Sequence, residues 1–95
     1  MNPKSAFFAR FKIGRFAVTP NALAQLTFDD VLRGIQRHLT GDWGDLSAED
    51  RQANDQAVVE GTRILSAYQA ANGTRFWIIT DAGHWVTTVL LPEDY

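Results

Sequence analysis

The last third of the chain holds three short runs of β-branched and aromatic residues, and the turn signals between them restrict how the chain can fold. The runs cover residues 63–69, 74–80 and 84–91. Asn72-Gly73 lies between the first two runs, and this pair between apolar segments favours a tight hairpin. Residues 81–83 end in glycine and separate the second run from the third, which Pro92 ends. We therefore predict a three-stranded antiparallel meander.

Pairing these strands through two-residue turns predicts which side chains share a face of the sheet. A turn at Asn72-Gly73 sets Tyr68 opposite Trp77, and because side chains alternate along a strand, this register assigns every other residue to a face. The expected core face carries Leu65, Ala67, Phe76, Ile78, Trp85, Val89 and Leu91. The opposite face is mixed, so we expect it to be partly covered or to bind a partner. The candidate residues of this second surface are Tyr68, Arg75, Trp77 and His84.

The first sixty residues predict one strand followed by about three helices. Residues 12–19 are typical of a strand, and Thr19-Pro20 is typical of a helix start. A helix from Thr27 carries the clearest apolar stripe, and Ser47 begins a helix that Gly61 ends. The stripe consists of Phe28, Val31, Leu32, Ile35 and Leu39. We therefore predict a single α+β domain over residues 1–95, with helices on one face of the sheet and mobile residues at 1–9.

The absence of cysteine from the 95 residues limits the possible chemistry. It excludes disulfides, thiolate metal sites and cysteine nucleophiles, and it fits a reducing cytoplasm. Residues 1–15 contain no continuous apolar run, so they do not predict a signal peptide, and no stretch is long enough to span a bilayer. We therefore expect a cytoplasmic protein without a membrane partner.

Charge is segregated along the chain although the net charge is only −2. Residues 1–28 contain four basic residues and no acidic one, whereas residues 42–60 have a local charge of −5. Such a segment favours a basic partner surface. The candidate partner-binding residues are Asp42, Trp43, Asp45, Glu49, Asp50 and Asp55. Trp43 would be an aromatic anchor inside the acidic rim, and the alternative is a core tryptophan that holds its loop in place.

Catalytic and metal-binding patterns are weak in this sequence. His38 and His84 are the only histidines, and their spacing matches no zinc motif, so we expect no metal or other cofactor. His38 is expected to be a cation at a helix C-terminus. An enzymatic alternative is a small toxin-like ribonuclease of the barnase-like class, with His84 as acid or base and Arg75 as phosphate ligand.

Two strings in the sequence resemble a family of short proteins of phages and plasmids. They are Gly-Asp-Trp-Gly-Asp-Leu at residues 41–46 and Thr-Thr-Val-Leu-Leu-Pro-Glu-Asp-Tyr at residues 87–95. Some mobile-element proteins of this size are anti-CRISPR inhibitors, and the resemblance implies an inhibitor of a type I CRISPR effector. Such an inhibitor would bind one subunit of the effector and block target DNA. We expect a monomer, and the overall acidic balance argues against direct binding of nucleic acid. The alternatives are the ribonuclease and an antitoxin or structural partner.

Overall fold

A computed structural model describes residues 8–95, and it shows an α+β chain. We predicted that residues 1–9 are mobile, and residues 1–7 of this stretch lie outside the described residues. In the described part, no helix is both long and apolar enough to cross a membrane. The elements are β1 (Arg15–Val18), α1 (Pro20–Gln25), α2 (Phe28–Leu39), α3 (Ala48–Glu60), β2 (Ile64–Gln69), β3 (Arg75–Thr80), β4 (Val86–Leu90) and a final 3-10 turn (Pro92–Asp94).

Within residues 8–95 the sheet has four strands in the order β1-β4-β3-β2, and it is mixed. Strands β2, β3 and β4 form the antiparallel part that the turn signals predicted. Strand β1 adds to β4 in parallel, with Arg15 beside Val86 and Val18 beside Val89. The prediction of a separate N-terminal strand and a three-stranded meander was therefore only partly correct. The connection from β1 to β4 contains the three helices and strands β2 and β3, so it is long enough for the crossover that a parallel pairing requires.

The hairpin between β2 and β3 is one residue out of the predicted register. Ala70 N–H donates to the Thr74 carbonyl at 2.8 Å, so the loop has three residues instead of two. Gly73 lies at φ 89°, the left-handed conformation that a three-residue hairpin loop uses. Tyr68 consequently pairs with Phe76 instead of Trp77. Because a slip of one residue exchanges the two faces, Leu65 and Ala67 lie on the face opposite to the predicted core face.

The second hairpin has a longer turn than predicted. Asp81 N–H donates to the Val86 carbonyl at 3.0 Å, which closes a four-residue loop, and Thr80 pairs with Thr87. The shift from the predicted register is two residues, so the faces of β3 and β4 are unchanged. Trp85 lies in the loop and is 76% exposed, so its predicted place in the core was wrong.

All three helices begin where the sequence predicted, because each start is fixed by a local side-chain cap. The hydroxyl oxygens of Thr19 and Ser47 accept bonds from backbone N–H groups in the first turns of α1 and α3. Thr27 and Asp30 form a reciprocal capping box at the start of α2. Gly61 ends α3 in the left-handed conformation.

The helices pack on the sheet face that carries Tyr68, Phe76 and Ile78. The core joins this face to α1 and α2, and a second cluster formed by Trp43, Ala57 and Ile64 joins it to α3. The inward face of α2 consists of Val31, Gly34, Ile35, His38 and Leu39, so three of the five residues of the predicted stripe face inward. A Cβ at Gly34 would lie 2.9 Å from the Phe76 ring, so this glycine brings the helix close to the sheet. Phe28, at 82% exposure, and Leu32 face outward.

The outer edge of β2 is closed by groups from outside the sheet. The Asn54 side chain donates to the Leu65 carbonyl at 2.7 Å and accepts from Leu65 N–H at 3.2 Å. Ala67 N–H donates to the Trp43 carbonyl, and Asp45 N–H donates to the Ala67 carbonyl. Asn54 and the loop before α3 therefore satisfy backbone groups that an edge strand otherwise leaves open.

Candidate functional site

The acidic candidates lie in the loop before α3 and along its exposed side. Ser47 caps the helix, and Glu49 and Asp50 follow in the first turn, both exposed. Negative charge is stabilised there by the helix dipole. Asp42 and Asp45 precede the cap, and Asp55 is one to two turns further along the helix. The candidates therefore lie on one continuous stretch of loop and helix.

Three of these carboxylates are paired with arginines from other parts of the chain. Arg37 binds Asp42 with both its Nε and an Nη atom, at 2.7 and 3.2 Å. Arg10 lies 3.2 Å from Asp55, and Arg75 lies 3.6 Å from Asp45. Counting these arginines with residues 42–60 changes the local charge from −5 to −2. The acidic surface is therefore weaker than the sequence alone indicated.

These contacts lower the pKa values of Asp42 and Asp55. The hydrogen bond from Arg37 lowers the pKa of Asp42 below 3.8. The indole N–H of Trp43 lowers the pKa of Asp55, and Arg10 adds to this effect. Both carboxylates are therefore held in fixed, charged positions at neutral pH, where an incoming cation has to compete with the arginines already present.

Asp45, Glu49 and Asp50 form the open acidic group. Within residues 8–95, neither Glu49 nor Asp50 has a cationic side chain within 4.0 Å, and the Asp45 contact with Arg75 is long. Arg51, the nearest basic residue in sequence, points back at the loop and donates to the carbonyls of Gly44 and Leu46, at 2.8 and 3.1 Å. Its guanidinium thus holds the loop, and the open acidic group stays accessible to a partner.

Trp43 is 4% exposed and lies in the core. Its indole N–H donates to Asp55 at 3.0 Å, and the Arg10 guanidinium lies 5.8 Å from its ring centre. Its ring packs with Ala57 and Ile64. Trp43 therefore fits the alternative role, a core tryptophan that holds its loop against α3. Its ring has no exposed surface that could serve as an anchor for a partner.

The four residues of the second candidate surface are not brought together. Tyr68 is buried on the helix-covered face, where its hydroxyl donates to the Asp42 carbonyl at 2.7 Å. Arg75 and Trp77 lie on the opposite face, with Trp77 edge-on to the Tyr95 ring. His84 lies in the loop between β3 and β4, where it contacts the Thr62 carbonyl. Tyr68 was grouped with Arg75 and Trp77 because the predicted register of β2 was one residue out. His84 was added because the predicted turn between β3 and β4 was too short.

His38 is a buried, neutral residue, so the expectation of a cation at the end of α2 was wrong. Burial lowers its pKa to about 3. Its ring nitrogens lie 2.6 Å from the Ser66 hydroxyl and 2.9 Å from the Thr80 hydroxyl. Thr80 in turn contacts Thr87, whose hydroxyl donates to the Ile13 carbonyl. This chain of hydrogen bonds ties α2 to the sheet and to the segment before β1.

Nothing in residues 8–95 groups three potential metal ligands. The network around His38 contains hydroxyl groups and a carbonyl but no carboxylate, and the ring is enclosed. It therefore stabilises the fold and offers no proton-transfer site to a substrate. This network was not predicted, because serine and threonine on a strand are usually interpreted as solvent-facing residues.

Comparisons with protein-family models, with curated proteins and with solved structures find no match to this chain. The resemblance to phage and plasmid proteins therefore stays a prediction that rests on the strings at residues 41–46 and 87–95. The function has to be argued from the open acidic group and from the rest of the surface.

Proposed function

We propose that the protein is a non-enzymatic inhibitor that binds a basic, nucleic-acid-binding surface of another protein through the open acidic group. The observation that carries the proposal is the placement of Asp45, Glu49 and Asp50 at and just before the start of α3. All three are exposed, and in the described residues their one ion pair is the long 3.6 Å contact from Arg75 to Asp45. A surface that binds phosphates carries Lys and Arg side chains, and carboxylates attract the same side chains.

The loop that presents these carboxylates is held in several places. Ser47 caps α3, Arg51 bonds two loop carbonyls, and the Trp43 ring is buried beneath. Gly44 forms a bridge with Ala67 on the edge of β2. A group fixed in this way loses little conformational freedom on binding, which favours affinity.

The partner that we propose is a subunit of a type I CRISPR effector, in the cytoplasm of the host cell. This choice rests on the sequence resemblance to mobile-element proteins. The charge of the open acidic group fits the DNA-binding surface that such a complex must have. Occupation of that surface would block target DNA without any catalytic step.

The experiment compares two triple variants with the same charge change. Asp45→Lys/Glu49→Lys/Asp50→Lys reverses the open acidic group, and Asp29→Lys/Glu60→Lys/Asp81→Lys reverses three other exposed acids. Exposed ion pairs contribute ~0.2–1 kcal/mol each, so loss of three pairs in the first variant should weaken binding by about 3- to 150-fold. The control should bind nearly as well as the wild type.

Binding should also weaken between 0.1 and 0.5 M salt, because exposed charges are screened over shorter distances as salt rises. Circular dichroism checks that both variants are folded. If both triple variants lost binding affinity equally, net charge alone would explain the effect and the open acidic group would not. Binding that survives the first reversal and is insensitive to salt would remove the open acidic group from the mechanism.

A further inference from the structure

The two edge strands of the sheet differ in whether their outward backbone groups have hydrogen-bond partners. On β2, Asn54 and the loop before α3 occupy the backbone groups of Leu65 and Ala67. On β1, no element of residues 8–95 lies in the corresponding position, because β1 is the last strand of the sheet. An open edge is a template for a further strand.

Hydrogen bonding to β4 shows which groups of β1 point outward. Arg15 and Thr19 N–H groups donate to the Trp85 and Val89 carbonyls, at 2.7 and 3.0 Å. Because the backbone direction alternates along a strand, Ala17 also faces β4, while the N–H and C=O groups of the residues between point away. Phe16 and Val18 therefore present two donors and two acceptors along the edge.

An apolar groove of about 290 Å³ runs beside this edge. It lies between β1 and α2, and Phe16 is 47% exposed within it. On the helix side, Phe28 and Leu32 are exposed, which is unusual for large apolar side chains of α2 that lie so close together. The lining residues are Ile13, Phe16, Phe28, Val31, Leu32 and Ile35.

We infer that a second copy of this chain occupies the edge, with the two β1 strands antiparallel across a twofold axis at Ala17. In this register Phe16 of each copy faces Val18 of the other, and both residues have outward backbone groups. The two pairs exchange four N–H to C=O hydrogen bonds. Ala17 meets its own copy, and its small side chain allows the close approach of a non-hydrogen-bonded pair. The sheet becomes continuous over eight strands.

Charge complementarity supports a second copy over an unrelated strand. In this register Arg15 of one copy lies opposite Thr19 of the other. The Thr19 hydroxyl donates to the Asp94 carboxylate at 2.6 Å, so Asp94 lies beside the incoming guanidinium. Arg15 is exposed and has no ion pair among residues 8–95. Twofold symmetry makes this contact twice.

The same twofold rotation also completes the apolar groove. Phe16 and Val18 lie on the helix-covered face, so those of the second copy add to the open side of the groove. Phe28 and Leu32 of the two α2 helices then cover apolar surface that is exposed in one copy alone. The sequence favoured a monomer, but it gave no sign that β1 would be an open edge. The inference does not depend on the proposed function, because the open acidic group lies on a different element.

Cysteine cross-linking tests the register directly, because the chain has no cysteine of its own. Non-hydrogen-bonded pairs have Cα atoms about 4.5 Å apart, within the range that a disulfide can bridge. Ala17→Cys should therefore form a covalent dimer on mild oxidation. Ala82→Cys, at an exposed loop position, is the control and should remain largely uncross-linked. A wild-type dimer in which Ala17→Cys fails to cross-link would overturn the inference.

Sedimentation at several concentrations tests the interface without a cross-link. Wild type should approach twice the 10.6 kDa chain mass as concentration rises. Phe28→Glu should raise the dissociation constant by at least about tenfold, because it places charge on the apolar groove. Val59→Glu changes another exposed apolar helix residue, outside the groove, and should leave the constant unchanged. Equal behaviour of the two variants would contradict the interface.

A double-variant cycle tests the Arg15–Asp94 contact. Arg15→Gln and Asp94→Asn should each weaken the dimer, and the double variant should be weakened by less than the product of the two changes. Fully multiplicative effects would contradict the contact.

Deletion of residues 1–7 tests a different occupant of the β1 edge, the chain's own N-terminal segment. If wild type is monomeric and the deletion variant dimerises, that segment covers the edge and the inference fails. Monomers in both cases also overturn it.

Discussion

The buried His38 should make the stability of this protein fall between pH 6.5 and pH 5. Folding lowers the pKa of His38 from 6.5 to about 3, because the ring is removed from water. As pH falls, the unfolded chain therefore binds this proton first, which favours unfolding. The stability that the neutral ring contributes is complete above pH 6.5 and is lost as pH falls toward 3.

The size of the effect follows from the shift of the pKa. Each unit below 6.5 removes about 1.4 kcal/mol of unfolding free energy, so about 2 kcal/mol is lost between pH 7 and pH 5. Carboxylates interfere little in this window. The pKa values of Asp42, Asp55 and Asp94 are lowered from 3.8, so these groups lose their charge in the folded state only at more acid pH.

Urea unfolding at pH 7, 6 and 5 measures this loss, with far-UV circular dichroism as the signal. His38→Gln should be less stable than wild type at pH 7 by about 1–3 kcal/mol, since the Ser66 and Thr80 hydroxyls lose a partner. Its stability should depend much less on pH.

The gap between wild type and His38→Gln should therefore narrow by about 2 kcal/mol from pH 7 to pH 5. A gap between wild type and His38→Gln that stays constant over this range would refute the assignment of the effect to a buried neutral ring.

Three further substitutions test separate parts of the fold by urea unfolding at neutral pH. Asn54→Ala should destabilise by about 1–3 kcal/mol, because Leu65 loses both edge partners, whereas the exposed Gln52→Ala on the same helix should change stability by less than about 0.5 kcal/mol. Gly44→Ala should be far more harmful than Gly61→Ala: both glycines lie in the left-handed region, but only at Gly44 would a Cβ overlap the Ala67 carbonyl. Thr27→Ala should destabilise by about 1 kcal/mol through loss of the α2 capping box, and Thr27→Ser should keep most of that energy. If the two variants of a pair changed the free energy of unfolding equally, the contact that this pair tests would be contradicted.

Features set by neighbouring residues were predictable from the sequence, and those set by distant contacts were not. The starts of the helices depend on Thr19, Thr27 and Ser47, each within three residues of the N–H group that it caps. The Asn72-Gly73 pair predicted a turn but does not distinguish a two-residue loop from a three-residue one. That single difference exchanged the faces of β2 and made Tyr68 appear exposed.

The packing of α2 shows a second limit. A stripe of apolar residues predicted that Leu32 faces the sheet, but the helix turns Gly34 and His38 inward instead. Gly34 has no side chain and His38 is polar, so neither contributes to an apolar pattern. The space for the Phe76 ring and the hydroxyls that receive His38 come from strands more than twenty-five residues away.

The acidic site shows the same dependence on distance. The local charge of residues 42–60 was visible in the sequence, but none of its three arginine partners was predicted. Arg75 lies 30 residues from Asp45, and Arg10 lies 45 residues from Asp55. The open acidic group of Asp45, Glu49 and Asp50 could be separated from the paired carboxylates only in the folded chain.

Inhibition by this protein can be measured as the loss of target DNA binding by a type I CRISPR effector when increasing amounts of the protein are added. We expect wild type to prevent DNA binding at stoichiometric amounts. Asp45→Lys/Glu49→Lys/Asp50→Lys should lose most of this effect, and Asp29→Lys/Glu60→Lys/Asp81→Lys should keep it. If excess wild-type protein leaves DNA binding unaffected, or if the first triple variant blocks it as well as the wild type does, the open acidic group does not act as proposed.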